Sequence, residues 1–155
     1  KSSEILQKMV FGNICAVVML DLDHFKSIND TYGHDTGDNY LKSFAAVLKS
    51  MPAEHFITAR RSGDEFCMMI YGCVEHADII SYLDTFYQTL KQHEIALSAD
   101  TTKIISASGG FSWTSDSGCS MEELLSQADE ALYDVKRQTK GQYREYQLPK
   151  TGHNL

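Results

Sequence analysis

Apolar and polar positions along the chain alternate between the patterns of strands and helices. Residues Ile14 to Leu20 are continuously apolar, which is typical of a central strand covered on both faces. Two shorter apolar runs, 55–59 and 66–71, flank a short link that contains Gly63, and this arrangement predicts a β-hairpin. Apolar residues at helical spacing predict three long helices, over 36–51, 75–93 and 120 to about 139, the last starting with a Ser120–Glu123 capping box.

Four further stretches complete the predicted order of elements: the end of a helix at 2–9, a strand at 103–113, a short last strand at 143–147, and a disordered tail from 149. Ser108-Gly109-Gly110 interrupts the strand 103–113 and indicates either a bulge or a close approach of backbones. Helices between strands, with an antiparallel hairpin in the middle, predict an α+β fold of ferredoxin-like kind, in which helices pack on one central sheet.

Length and charge narrow the class of protein. The 155 residues are enough for one domain with a single core, so we take residues 1–155 as one unit. The net charge of −7 argues against binding to nucleic acid or to an anionic membrane, whereas a small nucleotide needs only a local cluster of positive charge. The four cysteines show no CxxC spacing, which favours reduced thiols in a cytosolic domain. Because the chain begins at Lys1 without Met, we expect it to be part of a longer protein.

Four carboxylates lie where the predicted central strand and the hairpin end. Asp21 and Asp23 follow the strand and, two residues apart, are expected to share a face, while Asp64 and Glu65 occupy the hairpin tip. Two adjacent carboxylates at a tip repel each other unless a cation lies between them, and Mg²⁺ prefers such hard oxygen ligands. Each residue alone also fits a strand end or a solvated turn. Together they predict a magnesium site at one edge of the sheet.

The candidate residues for binding phosphate and base give a less specific signal than the four carboxylates do. Lys136 and Lys140 are four residues apart on the predicted last helix and would share one face, and Lys26 lies close to Asp21 in sequence. They are expected to hold phosphates, although solvated surface lysines have the same pattern. Asn29 and Asp38 complement the donors and acceptor of guanine, but they are equally compatible with a turn residue and with a carboxylate at a helix N-terminus.

Several motifs together resemble one family. Residues 21–38 read DLDHFKSINDTYGHDTGD, residues 60–66 read RRSGDEF, and residues 128–136 read ADEALYDVK, with Ser108-x-Gly110 between them. This pattern resembles the diguanylate cyclase (GGDEF) family from about residue 14 to residue 146. The resemblance implies a palm-like, nucleotide cyclase-like fold and the condensation of two GTP molecules into cyclic di-GMP.

The resemblance also implies roles for individual residues. The ligands of Mg²⁺ (or Mn²⁺) would be Asp21, the Leu22 carbonyl and Asp64, with Glu65 close to them, and Asp64 with Glu65 would form the catalytic pair. The substrate-binding residues would be Asn29, His34 and Asp38 at guanine, Lys26, Lys136 and Lys140 at the phosphates, and Ser62 and Gly63 where the backbone approaches the nucleotide. Asp64 would accept the proton of the ribose 3′-OH. Each domain would hold one GTP, so catalysis would need a homodimer.

The sequence departs from the family pattern at several places, which include the absence of the Asp-x-Leu-Thr segment expected upstream. Ser62 stands where the first Gly is usual, and Lys140 stands where Arg is common. The Arg-x-x-Asp motif of product inhibition should fall at 53–56, which read Ala-Glu-His-Phe, so we expect no feedback inhibition through that site. We also expect an upstream sensor domain, a cytoplasmic location for this domain and possible membrane anchoring of the full-length protein. The alternatives left open are a regulatory domain that binds GTP without turnover and a related cyclase or polymerase palm that acts on another nucleotide.

Overall fold

Strand β1 (Ile14–Leu22) lies at the centre of a five-stranded sheet, and all nine of its residues are buried. The computed structural model describes residues 14–115 and 119–147. The sheet has the order β2-β3-β1-β6-β7, in which β1 runs antiparallel to both of its neighbours and β7 runs parallel to β6. The α+β prediction with one mixed central sheet is therefore confirmed.

The other elements follow the predicted order closely. After β1 come α1 (Phe25–Tyr32), α2 (His34–Lys49), β2 (Phe56–Ser62), β3 (Glu65–Cys73), α3 (His76–Lys91), β4 (Glu94–Ala96), β5 (Thr102–Ile104), β6 (Ala107–Thr114), α4 (Met121–Arg137) and β7 (Tyr143–Glu145). Strands β4 and β5 form a separate two-stranded sheet. Among the described residues, no helix is long and apolar enough to span a membrane.

The alternation of side chains along β1 divides the core in two. Ala16, Val18 and Leu20 face the larger cluster, which includes Phe44 of α2 and Phe86 of α3. Cys15, Val17 and Met19 face the smaller cluster under α4. Helices thus cover both faces of β1, which explains its continuous apolar sequence. Asp21 continues the second series at the end of the strand, and this register directs it towards α4.

Close packing of α4 on β6 depends on Gly110. A Cβ atom at Gly110 would lie 2.2 Å from the Leu132 nitrogen and 2.5 Å from the Ala128 oxygen, so the helix backbone rests directly on the strand. The pairing of β6 with β1 runs without a shift from Ala107 to Thr114. Of the two interpretations of Ser108-Gly109-Gly110, the structure therefore confirms the close approach and not the bulge.

The last strand is attached to the sheet through Glu145. One oxygen of its carboxylate accepts a 2.8 Å hydrogen bond from the indole nitrogen of Trp113 on β6. The other oxygen lies 2.9 Å from Nε2 of His76, the first residue of α3. Glu145 thus connects β7, β6 and α3 although β7 has only three residues.

Several boundaries differ from the predicted ones. Helix α1 was not predicted, the prediction of one strand over 103–113 is wrong because the chain forms β5 and β6 there, and β4 was missed. The capping box at Ser120 is half confirmed, because the Ser120 side chain accepts a 3.0 Å hydrogen bond from the Glu123 nitrogen. The predicted helix at 2–9 and the tail from 149 lie outside the described residues.

Candidate active site

The end of β1 meets the hairpin tip through backbone pairing. Asp21 lies directly opposite Glu65 in the antiparallel ladder of β1 and β3, so their side chains share a face. The Leu22 nitrogen donates a 3.1 Å hydrogen bond to the Asp64 carbonyl. These two contacts bring the predicted metal ligands Asp21, Leu22, Asp64 and Glu65 to one corner of the sheet.

Lys136 reaches the same corner from the last turn of α4. Its Nζ donates a hydrogen bond to Oδ2 of Asp21. This hydrogen bond raises the pKa of the Lys136 ammonium, and the negative charges of Asp64 and Glu65 raise it further. One lysine therefore faces three acidic side chains, Asp21 at the end of β1, Asp64 in the hairpin turn and Glu65 at the start of β3.

The Asp21 carboxyl is held in an unfavourable environment for its charge. Burial raises the pKa of Asp21, and the Asp64 carboxyl within hydrogen-bonding reach raises it as well, while Lys136 acts in the opposite direction. Oδ1 of Asp21 is buried and has no hydrogen-bond partner in the described part of the chain. A buried acceptor without a donor costs free energy, so this oxygen is available to a partner other than the residues that the structure describes.

These residues fit a divalent cation, although they do not form a complete metal cage. Among the described residues, no three His, Cys, Asp or Glu side chains are grouped so that they could hold a metal ion. The donor set is nevertheless made of the hard oxygens that Mg²⁺ prefers, and Mg²⁺ normally takes only one or two carboxylates, with substrate phosphates and water completing its shell. The unsatisfied Oδ1 of Asp21 is the observation that supports the fit.

The hairpin tip accommodates Ser62 without backbone strain. His24 is the single non-glycine residue with positive φ among those described, so Ser62 adopts an ordinary conformation, and the positive φ of 42° falls on Gly63. The Ser62 hydroxyl donates a 3.2 Å hydrogen bond to Oε1 of Glu65, and Arg60 donates a 2.9 Å hydrogen bond to the Gly63 carbonyl. Position 62 therefore does not need the conformational freedom of glycine in this tip.

The predicted guanine-binding residues lie where α1 and α2 meet. The Asn29 side chain packs against Gly37, where an added Cβ would lie 1.7 Å from Oδ1 of Asn29. Glycine at position 37 thus lets Asn29 rest on the first turns of α2, next to Asp38. His34 is the first residue of α2, and both His34 and Asp38 are exposed. Their roles at a base remain predictions.

Two of the predicted phosphate ligands are placed differently from Lys136. Lys26 is exposed on α1, and its Nζ lies 3.4 Å from Oδ2 of Asp30. The prediction that Lys140 shares a helix face with Lys136 is wrong, because α4 ends at Arg137 and Gln138 leaves helical geometry with φ −107° and ψ −80°. Lys140 lies in the exposed connection that leads to β7.

Asp23 takes part in contacts that the sequence did not indicate. Its carboxylate is buried and accepts 2.6 Å hydrogen bonds from the hydroxyls of Ser106 and Ser108. Asp23 therefore does not act as a further open oxygen ligand beside Asp21. The serine of the Ser108-x-Gly110 motif was the signal in the sequence that could have indicated this partner.

Comparison with known proteins identifies the family. The model of the family described as "Diguanylate cyclase, GGDEF domain" matches residues 3–142. The chain belongs to the GGDEF domain family. Two solved GGDEF domains have the same fold. The GGDEF domain of TpbB (YfiN) from Pseudomonas aeruginosa matches with a TM-score of 0.83 and 30% identity, and the match covers 95% of this chain and 86% of that one. The GGDEF domain of DgcB from Caulobacter crescentus, in complex with c-di-GMP, matches with a TM-score of 0.80 and 28% identity, and the match covers 94% of this chain and 87% of that one.

Curated GGDEF relatives are much longer than this chain. The diguanylate cyclase TpbB of Pseudomonas aeruginosa is 33% identical over 129 residues, which are 83% of this chain and 29% of TpbB. The cyclic di-GMP phosphodiesterase NbdA of the same species is 40% identical over 126 residues, which are 81% of this chain and 16% of NbdA. The chain thus spans less than a third of either protein, and GGDEF domains occur in relatives named for opposite activities.

Proposed function

We propose that this GGDEF domain is a diguanylate cyclase, which condenses two molecules of GTP into cyclic di-GMP and releases two molecules of pyrophosphate. The observation that carries the proposal is the meeting of Asp21, Asp64, Glu65 and Lys136 at one corner of the sheet. A purely structural role does not explain a buried carboxylate with an unsatisfied oxygen beside a second carboxyl.

The side chains of Asp21, Asp64, Glu65 and Lys136 form an acidic corner of the sheet, and their chemistry supports phosphoryl transfer. Asp64 would accept the proton of the ribose 3′-OH on a carboxylate oxygen while the 3′-oxygen attacks the α-phosphorus and pyrophosphate leaves. Lys136 would turn its ammonium from Asp21 to the phosphates. Asp21, the Leu22 carbonyl, Asp64 and Glu65 would hold Mg²⁺ or Mn²⁺, which when bound supplies positive charge against the charge that develops on the phosphates.

Base recognition is proposed for the junction of α1 and α2. Asn29 and Asp38 would pair with the edge of guanine, with His34 beside them, because an amide and a carboxylate together match its donors and acceptor. Replacement of Asp38 by Ala should widen the choice of base. If Asp38→Ala binds and converts GTP and ATP in the same ratio as the unchanged protein, the assignment to guanine is wrong.

The proposed reaction needs two copies of the domain. One domain offers one acidic corner and binds one GTP, so a two-fold homodimer would bring two nucleotides face to face. We further propose that residues 1–155 are one domain of a longer protein with an upstream sensor domain. In that protein the domain would lie in the cytoplasm, with membrane anchoring possible elsewhere in the chain. Binding of nucleic acid is not expected at a net charge of −7.

The decisive experiment is a product assay. The domain at high concentration, free and fused to a dimerising partner, is incubated with GTP and Mg²⁺, and the products are identified by mass spectrometry. The expected result is cyclic di-GMP together with pyrophosphate. A folded, dimerised protein that yields neither would remove the proposal.

A regulatory domain that binds GTP without turnover is the second candidate. It is favoured by the 40% identity to NbdA, a protein named for the breakdown of cyclic di-GMP. Tight binding of GTP with no release of pyrophosphate from the dimerised protein would select this function over the first.

A further inference from the structure

Asp23 is a buried carboxylate held by hydroxyl groups. Its exposed fraction is 4%, and its two oxygens each accept a 2.6 Å hydrogen bond, one from Ser106 and one from Ser108. No ion pair within residues 14–115 and 119–147 involves Asp23. A charge buried in this way is costly unless every lone pair is used, so the arrangement needs an explanation beyond ending β1.

The first branch of this network leads to the connection after α4. The Ser108 hydroxyl donates to Asp23 and accepts a 3.2 Å hydrogen bond from the nitrogen of Gly141. The next backbone contact is the 2.9 Å bond from the Gly109 nitrogen to the Gln142 carbonyl. Gly141 has φ 81°, a conformation that suits glycine, so the chain makes a fixed turn where it touches Ser108.

The residue that precedes this turn is Lys140. Helix α4 ends at Arg137, so the helix cannot orient Lys140. Both peptide units that flank Lys140 are hydrogen-bonded: the Thr139 carbonyl accepts from the Gln142 side chain within the same connection, and the Gly141 nitrogen donates to the Ser108 hydroxyl on β6. Only the second contact ties the connection to the sheet. Asp23 in turn fixes the direction of that hydroxyl, since the hydroxyl must donate to Asp23 and therefore presents a lone pair to Gly141.

The second branch leads towards α2 and serves as an internal comparison. The Ser106 hydroxyl donates to the other oxygen of Asp23, and the Ser106 nitrogen donates a 2.9 Å hydrogen bond to the hydroxyl of Tyr40 on α2. Because the contact with Tyr40 uses the backbone, removal of the Ser106 hydroxyl leaves it in place. The Ser106 hydroxyl lies near Gly141, where an added Cβ would be 3.3 Å from its oxygen, but it makes no hydrogen bond to the connection that carries Lys140 among the described residues, whereas the Ser108 hydroxyl accepts one.

We infer that Asp23 and Ser108 are positioning residues that hold Lys140 where it can bind the phosphates of the substrate. This inference rests on the proposed function, because Lys140 is a predicted phosphate ligand. It assigns to the buried Asp23 a task that differs from that of Asp21. Asp21 offers an open oxygen, whereas Asp23 acts only through Ser108 and the Gly141 turn.

The test compares Ser108→Ala with its matched control Ser106→Ala. Each change removes one hydroxyl that donates to Asp23, but only Ser108→Ala removes the acceptor of the Gly141 nitrogen. For Ser108→Ala we expect the Kd and KM for GTP to rise about threefold to tenfold, with kcat changed less, because a charge-assisted contact is weakened. Ser106→Ala should stay within about twofold of the unchanged protein. The Kd for guanosine, which has no phosphate, should not change in either variant.

A double variant separates positioning from general loosening of the site. In a Lys140→Ala background, Ser108→Ala should have no further effect on the Kd for GTP, since its influence passes through Lys140. The inference would be overturned if the effects of Ser108→Ala and Lys140→Ala on the Kd for GTP multiplied in the double variant. It would also be overturned if the two serine variants had equal effects, or if affinity for guanosine fell in parallel with affinity for GTP.

Two further measurements distinguish a misfolded variant, a failure of the proposed function and a failure of the positioning role. If circular dichroism shows that Ser108→Ala is unfolded, the isosteric Asp23→Asn replaces it, with the same expected pattern for GTP, guanosine and the Lys140→Ala background. If the unchanged, dimerised protein binds no GTP, the proposed function itself fails. If it binds GTP but Ser108→Ala and Asp23→Asn both leave that binding unchanged, only the positioning role fails.

Discussion

Lys136 donates a hydrogen bond to Oδ2 of Asp21, while Oδ1 of the same carboxylate is buried and receives none from the residues that the structure describes. One half of the carboxylate is thus satisfied by a cation of the protein, and the other half is open. The nearby Asp64 carboxyl raises the pKa of Asp21 and so further disfavours the charged form of this carboxylate. Without a ligand, the domain should therefore be less stable than a variant with a neutral side chain at position 21. The difference in the free energy of unfolding can be measured.

Asp64→Asn should abolish synthesis of cyclic di-GMP and leave the fold intact. The change removes the proposed proton acceptor and one anionic oxygen ligand at a half-buried hairpin tip, so turnover should fall by at least about a hundredfold. Product is measured by mass spectrometry and folding by thermal melting. Asp100→Asn, at an exposed position beyond β4, is the control and should keep full activity. A variant that no longer folds would show that Asp64 is a structural residue.

Asp21→Asn should stabilise the ligand-free domain as the pH rises. Burial and Asp64 raise the pKa of Asp21 above its value in the unfolded chain, so the charged form is disfavoured in the native state. This penalty is absent below the pKa of Asp21 in the unfolded chain, grows as the pH rises from that pKa towards the higher folded pKa, and is constant above the folded pKa. The free energy of unfolding of Asp21→Asn relative to the unchanged protein should therefore increase as the pH rises above the pKa of an unperturbed aspartate. A relative stability that falls as the pH rises would contradict the unfavourable environment of Asp21.

Lys136→Ala should raise the KM for GTP about tenfold or more with little change in the preference for guanine, since a cation that meets phosphates is lost while Asn29 and Asp38 remain. Steady-state kinetics with GTP and with ITP measure both effects. Lys103→Ala on β5 provides a lysine control outside the acidic corner. Kinetics identical to those of the unchanged protein would exclude the phosphate role of Lys136.

Gly110→Ala should destabilise the domain by about 2–4 kcal/mol, because the new methyl group would collide with the backbone of α4 at Leu132 and Ala128. Urea denaturation measures the loss. Gly63→Ala is the matched control, since a Cβ there meets nothing within 4 Å and only its positive φ costs about 1 kcal/mol. Equal losses in the two variants would mean that α4 can move away from β6 at little cost.

The main elements were readable from the sequence because each has a strong local signal. A short, continuous apolar run rich in valine is typical of a central strand covered on both sides, and this run forms β1. Helix α1 was missed because it has eight residues, of which only Ile28 is buried, and no side-chain cap, and His24 before it has a left-handed backbone. Strands β4 and β5, with three residues each, are too short for a period of two to stand out.

The acidic corner was predicted better than its surroundings. Asp21, Asp64 and Glu65 follow from strand ends, which sequence patterns locate well. Lys140 was misplaced because the helix ends at Arg137 without a Gly or Pro at the next two positions to indicate it. Asp23 was grouped with Asp21 by the two-residue period, but β1 ends at Leu22, and long-range partners on β6 decided its contacts. Such partners are more than 80 residues away in sequence, and no local pattern indicates them.

The hydrogen bond from Trp113 to Glu145 gives the protein a built-in optical reporter. The chain contains a single tryptophan, so its entire indole fluorescence comes from the side chain that contacts β7. Detachment of β7 would take the carboxylate away from the indole and alter the wavelength and intensity of its emission. Whether the C-terminal strand stays docked when nucleotide arrives can thus be followed in real time, in unlabelled protein, from one natural chromophore.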